Sequence, residues 1–286
     1  MIADSETNIV YFSELLKTTK EFEPNFSRIT SILEKHNIKY AFLEGTKDIW
    51  ARDYMPIQTA IDRFVQFRYE PSYLKNELNL QSDPKKVCSL NGITPIYSKI
   101  NLDGGNVVKW HDKVMVTDRI YSENPEYSDY ATLVKEIEDL LETECIIIPQ
   151  IRNTYDFTGH ADGLVRFINN STILVSDLDM EFKYWSTSMK TVIEKHGFRF
   201  INMPFFSYKD KTFPDSAIGC YMNYLEIEDL IIFPIFEVTK NKDDQAIAII
   251  KSIYPNKHIE TININNIVKH GGLMNCISWN IKTKYL

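Results

Sequence analysis

Cysteines are few in this chain, and none stands close to another. The 286 residues include four of them, Cys88, Cys145, Cys220 and Cys276, with no CxxC spacing. Disulfide frameworks and structural zinc sites need clustered or paired cysteines, so we expect neither. Free thiols are typical of reducing compartments, and we therefore predict a cytoplasmic protein.

Long hydrophobic runs are also missing. Apolar stretches such as Leu230–Phe236 fall far short of the roughly 20 residues that a transmembrane helix needs. Residues 1–8 carry two acidic side chains before any apolar run, which is not typical of a secretory signal. We expect neither a membrane partner nor a secretion signal.

An excess of positive charge is absent as well. The 32 Lys and Arg side chains are outnumbered by 39 Asp and Glu side chains, for a net charge of −7. Proteins bind phosphate backbones through basic surfaces, so this balance argues against a nucleic-acid partner. It is compatible with a small cationic substrate, although many acidic proteins use their charge only for solubility.

Glycine and proline are scarce, at 10 and 11 residues, and no linker rich in them divides the chain. With 44% hydrophobic and 25% charged residues, the composition is that of an ordinary globular protein. A prior of about 150 residues per domain suggests two domains, but closed α/β folds of this size often form one unit. We predict a single domain over residues 1–286.

Strand-like and helical patterns alternate along the chain. Apolar residues at helical spacing predict helices at 23–36, 128–142, 181–196 and 243–254. Short β-prone runs lie at 9–12, 38–43, 145–149, 198–203 and 258–264, and hairpin-like runs lie at 64–69, 107–117 and 164–176. These patterns predict a mixed α/β fold of four or five modules of roughly 50 residues each. A cyclic arrangement of the modules would place their polar ends around one central mouth.

Four segments are too polar to be plain connections, and each adjoins a predicted strand. They are Asp48–Asp53, Asn101–Asn106, Asp156–Asp162 and His270–Cys276. Catalytic residues are often carried by loops that a rigid scaffold positions. These four segments are therefore the first candidates to carry reactive groups.

Cys276 is the first candidate, although a lone cysteine is often a buried core residue. The preceding Gly271-Gly272 pair lets a backbone or a ligand approach closely, which favours a reactive thiol that a histidine could assist. His160 and Asp162 would share one face of an extended strand. That spacing suits an imidazole that moves a proton beside a carboxylate that holds the substrate, but an exposed or metal-binding pair would look the same.

The remaining candidates are open to structural interpretations too. Asp53 follows Trp50 and Arg52. These residues could have a purely structural role, in which the aromatic ring packs beneath an ion pair between Arg52 and Asp53. Asp103 precedes two glycines and could equally form a turn. Four residues could be imagined as metal ligands, but no HExxH spacing supports them; they are His111, Asp112, His160 and Asp162. We expect the three other cysteines in the core.

Taken together, four motifs follow one another in a single order. They are Trp50–Pro56 (Trp-Ala-Arg-Asp-Tyr-Met-Pro), Asp103–Asn106 (Asp-Gly-Gly-Asn), Thr158–Gly163 (Thr-Gly-His-Ala-Asp-Gly) and a Gly-Gly-x-x-x-Cys motif that ends at Cys276. The ordered set resembles the agmatine deiminase and bacterial peptidylarginine deiminase family of the guanidine-modifying superfamily. The likeness extends from about Glu44 to Trp279. It implies a pentein fold, which has five ββαβ modules around a pseudo-fivefold axis.

The resemblance also implies roles for individual residues. Cys276 matches the nucleophile and His160 the general acid/base, while Asp53 and Asp162 match the carboxylates that hold the guanidinium. The other implied substrate-binding positions are Trp50, Asp103 and Asn223.

The activity that the resemblance implies is hydrolytic deimination of a guanidino compound, with agmatine first. A covalent thiouronium would form and then release a ureido product, with ammonia as the other product and without a metal or organic cofactor. Asn275, where agmatine-type relatives commonly have His, and Trp279-Asn280, which replaces a glutamine-rich stretch, weaken the choice of agmatine. Deimination of free or peptidyl arginine, amidino transfer, a non-catalytic binding protein and a homo-oligomer stay open.

Overall fold

The computed structural model of the protein describes residues 1–152 and 156–284. Its strands, in chain order, are β1 (Ile9–Ser13), β2 (Lys39–Leu43), β3 (Ile57–Ala60), β4 (Arg63–Arg68), β5 (Ile96–Asn101), β6 (Val108–Lys109), β7 (Lys113–Thr117), β8 (Glu144–Ile148), β9 (Val165–Asn169), β10 (Thr172–Ser176), β11 (Arg199–Met203), β12 (Leu225–Ile227), β13 (Leu230–Pro234), β14 (His258–Ile262) and β15 (Ser278–Ile281).

Helices connect these strands. The α-helices are α1 (Leu15–Thr18), α2 (Glu23–Lys35), α3 (Ala51–Tyr54), α4 (Pro84–Leu90), α5 (Arg119–Glu123), α6 (Tyr130–Leu141), α7 (Lys183–Lys195), α8 (Asp243–Ile253) and α9 (Asn265–Val268). Short 3₁₀ turns span Asp4–Glu6, Ser72–Leu74, Gly104–Asn106 and Ala161–Gly163. Across the described ranges we find no helix that is long and apolar enough to cross a membrane.

The strands form five small sheets that share one pattern. In each sheet two strands pair antiparallel, and the middle strand pairs parallel with the third. A parallel pair needs a crossover, which a helix usually supplies. Here the crossover helices are α2, α4, α6, α7 and α8. The mixed α/β class is therefore confirmed, and so are the five ββαβ modules of the pentein fold.

The fifth sheet joins the two ends of the described chain. Strand β15 pairs antiparallel with β1, so that Tyr11 lies opposite Trp279, and β1 pairs parallel with β2. The last module is thus assembled from both ends of the sequence. This pairing closes the set of modules.

Hydrophobic patterning explains how the helices pack. Helix α6 buries Leu133, Ile137 and Leu141, which recur every four residues along one face. The middle strands β10 and β13 are buried throughout, as strands covered on both faces are. The sheets therefore form a rigid scaffold beneath the polar segments.

The structure confirms the four predicted helices to within three residues at either end, a margin typical of helix boundaries. It adds helix α4, which the sequence patterns did not reveal. This helix has only seven residues and begins beside Lys85 and Lys86, too short a segment for apolar periodicity to show. Its N-terminus is capped by Asp83, whose side chain accepts hydrogen bonds from both lysine N–H groups.

Candidate active site

The predicted site residues occupy equivalent places in the five modules, because each lies shortly before the first strand of one module. Asp53 lies on α3 before β3, Asp103 precedes β6, and Asp162 precedes β9. Asn223 and Cys276 precede β12 and β15. The repeated architecture thus brings residues that are more than 200 positions apart into one place, as the predicted central mouth requires.

His160 and Asp162 are brought together differently from our expectation. We predicted an extended strand with both side chains on one face. Instead, His160 has extended dihedrals (φ −78°, ψ 146°) and is followed directly by the 3₁₀ turn Ala161–Gly163. Asp162 is therefore carried by a tight turn. Both residues lie in the site, but our prediction that strand alternation places them there is wrong, because a 3₁₀ turn carries Asp162.

Cys276 is half-buried and has two polar neighbours. Its Sγ lies 3.4 Å from Oδ1 of Asn223 and 3.8 Å from Oδ2 of Asp162. The same Asn223 oxygen accepts the backbone N–H groups of Asn275 and Cys276, at 3.0 and 3.2 Å. Asn223 therefore holds the backbone that presents the thiol.

Arg52 anchors the thiol segment from the other side. Its backbone N–H donates to the carbonyl of Cys276 at 3.0 Å, and its Nε donates to the carbonyl of Asn275 at 3.3 Å. The guanidinium also donates to the side chain of Asn280. These contacts, rather than an ion pair with Asp53, explain the buried arginine in the Trp-Ala-Arg-Asp motif.

Asn275, which stands where relatives of the agmatine type commonly have His, contacts the site directly. Its Nδ2 donates to Oδ2 of Asp162 at 2.7 Å. A neutral donor therefore fixes one oxygen of this carboxylate. The carboxylate keeps its orientation beside the thiol.

His160 is buried between two carboxylates. Its Nε2 lies 2.9 Å from Oδ2 of Asp103, and its Nδ1 lies 3.7 Å from Oδ1 of Asp53. Burial by itself would lower the pKa of His160, but the nearby carboxylates of Asp53, Asp103 and Asp162 outweigh burial and raise this pKa to about 9. At neutral pH the imidazole is thus an imidazolium that can donate a proton.

Asp53 is buried, and the nearby His160 only partly offsets the cost of its charge. Its Oδ1 accepts no hydrogen bond. Burial raises the pKa of Asp53 well above its ordinary value, the nearby His160 opposes that rise, and the charges of Asp103 and Asp162 reinforce it. A cation bound beside Asp53 would offset this unfavourable charge.

The thiol is also held in its neutral form. Burial raises the pKa of Cys276 well above its ordinary value, and the negative charges of Asp162 and Asp53 raise it further. A hydrogen bond from the backbone of Leu273 acts in the opposite direction. A cation bound beside them would therefore lower the pKa of both the Cys276 thiol and Asp53.

Asp103 occupies a different place from the other two carboxylates. Its Oδ2 accepts from His160 and also from the Tyr73 hydroxyl at 2.8 Å. Asp53 and Asp162 line the large cavity beside Cys276, whereas Asp103 lies behind the imidazole. This position suits an orienting role toward His160 better than direct contact with a substrate.

Two glycine pairs make close approaches that no side chain would allow. A Cβ added to Gly105 would lie 2.5 Å from Oδ1 of Asp53 and 2.5 Å from Nδ1 of His160. A Cβ added to Gly272 would lie 2.4 Å from the ring of Trp50. The glycine before the thiol is therefore needed for the packing of Trp50, a contact that the sequence could not specify.

We expect Gly105→Ala to lower kcat/KM by about 100-fold or more, because a displacement of about 1 Å at reacting groups can cost that much. The added methyl group would push Asp53 and His160 apart. Steady-state ammonia release, with circular dichroism to verify folding, measures the effect.

Gly197→Ala is the matched control. Gly197 has φ +66° and open space beyond its Cα, so alanine there strains the backbone far from the site. The control should lower Tm and leave kcat/KM unchanged. Equal kinetic losses in both variants would contradict the role that we give to Gly105.

The cavity beside Cys276 has a volume of about 880 Å³. Besides Asp53 and Asp162, its acidic lining residues are Glu77, Asp156, Glu181 and Asp215. Among the described residues, no Lys or Arg lines it. Cys220, which we expected in the core, is a half-buried lining residue instead, whereas Cys88 and Cys145 are buried as predicted.

Sequence reasoning missed Tyr73. Its hydroxyl donates to Asp103, and its ring packs edge-to-face against His160 with centroids 5.9 Å apart. Tyr73 lies in the 3₁₀ turn Ser72–Leu74, in a segment with neither periodicity nor a recognisable motif. No signal in a single sequence could have singled it out.

The imagined set of metal ligands does not come together. His160 and Asp162 line the cavity, whereas His111 and Asp112 lie in the turn between β6 and β7, and His111 contacts Glu6. Within residues 1–152 and 156–284 no group of three or more His, Cys, Asp or Glu side chains is arranged to hold a metal ion.

The model of the Porphyromonas-type peptidyl-arginine deiminase family matches residues 4–281. The chain belongs to this family. Its homologues are hydrolases that act on C–N bonds of linear amidines. Membership thus agrees with the family that the four ordered motifs indicated.

Individual relatives of this family member are distant. A provisionally named agmatine deiminase of Photobacterium profundum is 24% identical over 231 residues, a match that covers 69% of this chain and 62% of that protein. The chain therefore spans less than two thirds of that relative's length.

Solved structures show the same fold. The agmatine deiminase of Enterococcus faecalis has a TM-score of 0.77 at 16% identity, over 99% of this chain and 96% of that one. The C. jejuni agmatine deiminase has a TM-score of 0.75 at 17% identity, over 98% and 94%.

Proposed function

We propose that this protein deiminates a guanidino compound, with agmatine as the leading substrate and Cys276 as the nucleophile. One observation carries the proposal: a thiol, an imidazole and two carboxylates from three modules converge on a single acidic cavity. Cysteine nucleophiles need an adjacent acid/base, and His160 supplies it.

Asp53 and Asp162 would hold the guanidinium. A guanidinium is planar and always charged, and its N–H groups match carboxylate oxygens in pairs. Asp162 Oδ2 lies 3.8 Å from the sulfur, so a guanidinium bound to this carboxylate lies within reach of Cys276. The bound cation would also offset the burial and the neighbouring negative charges that raise the pKa of Asp53 and of the thiol, and so favour the thiolate.

The covalent step would proceed by addition and elimination. On binding of the cation the Cys276 thiol releases its proton to solvent, and the thiolate attacks the guanidinium carbon to form a C–S bond and a neutral tetrahedral adduct. His160, as imidazolium, donates a proton to one nitrogen, the C–N bond breaks, and ammonia leaves. A thiouronium linked to Cys276 is left behind.

Hydrolysis would return the free enzyme. The imidazole of His160, now neutral, removes a proton from water, and the oxygen attacks the thiouronium carbon. The C–S bond breaks, the sulfur leaves as thiolate and takes up the hydroxyl proton, and a ureido product forms. Asp103 and Tyr73 would keep the imidazole in place through both steps.

The charge of the cavity favours agmatine over free arginine. An α-carboxylate requires a cationic partner, and no Lys or Arg lines the cavity among the described residues. Arg52 is engaged with Asn275 and Asn280, and Arg166 with Asp4. The additional acidic residues of the cavity repel a substrate that carries a carboxylate of its own.

A substrate screen tests the proposal. With agmatine we expect ammonia and carbamoylputrescine in equal amounts, and we expect arginine to have a kcat/KM at least about tenfold lower, since its carboxylate is left unpaired. Ammonia and ureido product are measured separately, with a chelator present throughout. The absence of ammonia from every guanidino compound would overturn the proposal. A new guanidine formed on addition of an amine would indicate amidino transfer.

A further inference from the structure

The cavity beside Cys276 is much larger than agmatine requires. Its volume of about 880 Å³ lies near the upper end of the roughly 300–1,000 Å³ that is typical of pockets for drug-sized ligands. Agmatine is a short unbranched chain and would leave most of this space to water. The shape of the cavity therefore calls for a longer ligand.

The extra space begins beside the catalytic groups and is walled by aromatic rings. The ring of Tyr73 packs edge-to-face against His160, and the ring of Phe157 packs edge-to-face against Tyr73 with centroids 5.6 Å apart. Phe157 also covers Gly271, where an added Cβ would lie 3.2 Å from the ring. Two rings in contact thus extend from the imidazole of His160 to Gly271, in the glycine pair that precedes Cys276.

The outer end of the cavity exposes apolar side chains. Phe157, Met180 and Phe182 line the cavity and are 37%, 46% and 47% exposed. Leu80 lines the same cavity and is 37% exposed. Exposed large apolar side chains that line one cavity mark a binding surface. Flat rings and a polarisable thioether are suited to packing against another aromatic ring.

We infer that the substrate is an agmatine-like guanidine whose far end carries an aromatic acyl group, which packs among Phe157, Met180 and Phe182. This inference rests on the proposed function, because the guanidinium still binds at Asp53 and Asp162. Acylation removes the charge of the distal amine and adds apolar area where the cavity is apolar. A free carboxylate has no cationic partner on the described lining.

Kinetics with two substrates test the inference. We expect benzoylagmatine to have a kcat/KM about tenfold or more above that of agmatine, mainly through a lower KM, since its ring covers apolar surface. In Phe182→Ala this advantage should fall to about threefold or less, because the ring loses one of its walls. Phe200→Ala is the matched control, since Phe200 is 40% exposed on β11 and does not line the cavity. It should keep the full ratio.

Three results would overturn the inference while the proposed function stands. The first is agmatine turned over as efficiently as benzoylagmatine. The second is a blocked peptide with an internal arginine that has a higher kcat/KM than agmatine and benzoylagmatine. That result would indicate that the apolar opening binds a polypeptide. The third is a change of oligomeric state in Phe182→Ala while the ratio of the two kcat/KM values stays the same. That result would indicate that the apolar opening contacts a second copy of the chain. No turnover of any of the three substrates overturns the proposed function itself, and this inference with it.

Discussion

Cys276→Ala should lose at least about 1,000-fold in kcat while folding normally, because removal of a nucleophile removes the covalent pathway altogether. The side chain is half-buried, and its segment is held by backbone bonds to Asn223 and from Arg52, which alanine keeps. Cys276→Ser should be inactive too, since a hydroxyl is a much weaker nucleophile than a thiolate. Ammonia release at saturating agmatine and thermal unfolding measure the two effects.

Cys145→Ala serves as the control for loss of a thiol. Cys145 is buried in strand β8, away from the cavity, so its replacement should lower Tm somewhat and preserve kcat. A haloacetamidine should label Cys276 in the wild-type protein, and excess agmatine should suppress the labelling. Undiminished ammonia release by Cys276→Ala would reject the mechanism.

Asp53→Asn should lower kcat/KM by about 100-fold or more, because one of the two charges that hold the guanidinium is lost. We expect this without a loss of stability, and with a small gain near neutral pH. The wild-type carboxylate is buried and one of its oxygens has no hydrogen bond, so the amide removes an unfavourable charge. Kinetics and thermal unfolding of the same preparation separate the two effects.

The stability effect has a definite pH dependence. Because the pKa of Asp53 is raised in the folded state, the unfolded chain releases this proton first as pH rises above about 3.9, the ordinary value. The folded wild-type protein therefore loses stability upward from that pH, and Asp53→Asn does not. The Tm of the variant relative to wild type should increase as the pH rises above about 4.

Asp243→Asn is the matched control at a second buried aspartate. Asp243 accepts hydrogen bonds from the Tyr221 hydroxyl and from the backbone N–H groups of Phe236 and Glu237, so its carboxylate is well satisfied. Asparagine there should lower Tm and leave kcat/KM unchanged. A larger loss of Tm in Asp53→Asn than in Asp243→Asn would contradict our account of the site.

Much of the fold could be predicted because periodicity reports local structure reliably in long segments. The helices that span Tyr130–Leu141 and Lys183–Lys195 carry apolar residues at regular helical spacing, and this spacing allowed them to be predicted. The hairpin of β12 and β13 was not predicted, because Leu230–Pro234 is buried on both faces and shows no alternation. Closure through β1 and β15 depends on contacts between distant segments, which no local pattern encodes.

The site residues could be predicted for a different reason. Trp50, Asp103, His160 and Cys276 stand in short motifs whose order along the chain is distinctive. Tyr73 has no such context, and the size of the cavity depends on loops that lie far apart in sequence. Motifs therefore indicated which chemistry to expect, whereas geometry was needed to suggest which substrate fits.

The pairing of β1 with β15 has a consequence for biosynthesis. Tyr11 and Trp279 are opposite neighbours although the ribosome makes them at the two ends of this sequence. Strand β15 follows Cys276 directly, so pairing of β15 with β1 also fixes the segment that carries the sulfur. A nascent chain that has not yet been synthesised through β15 therefore cannot hold the complete site.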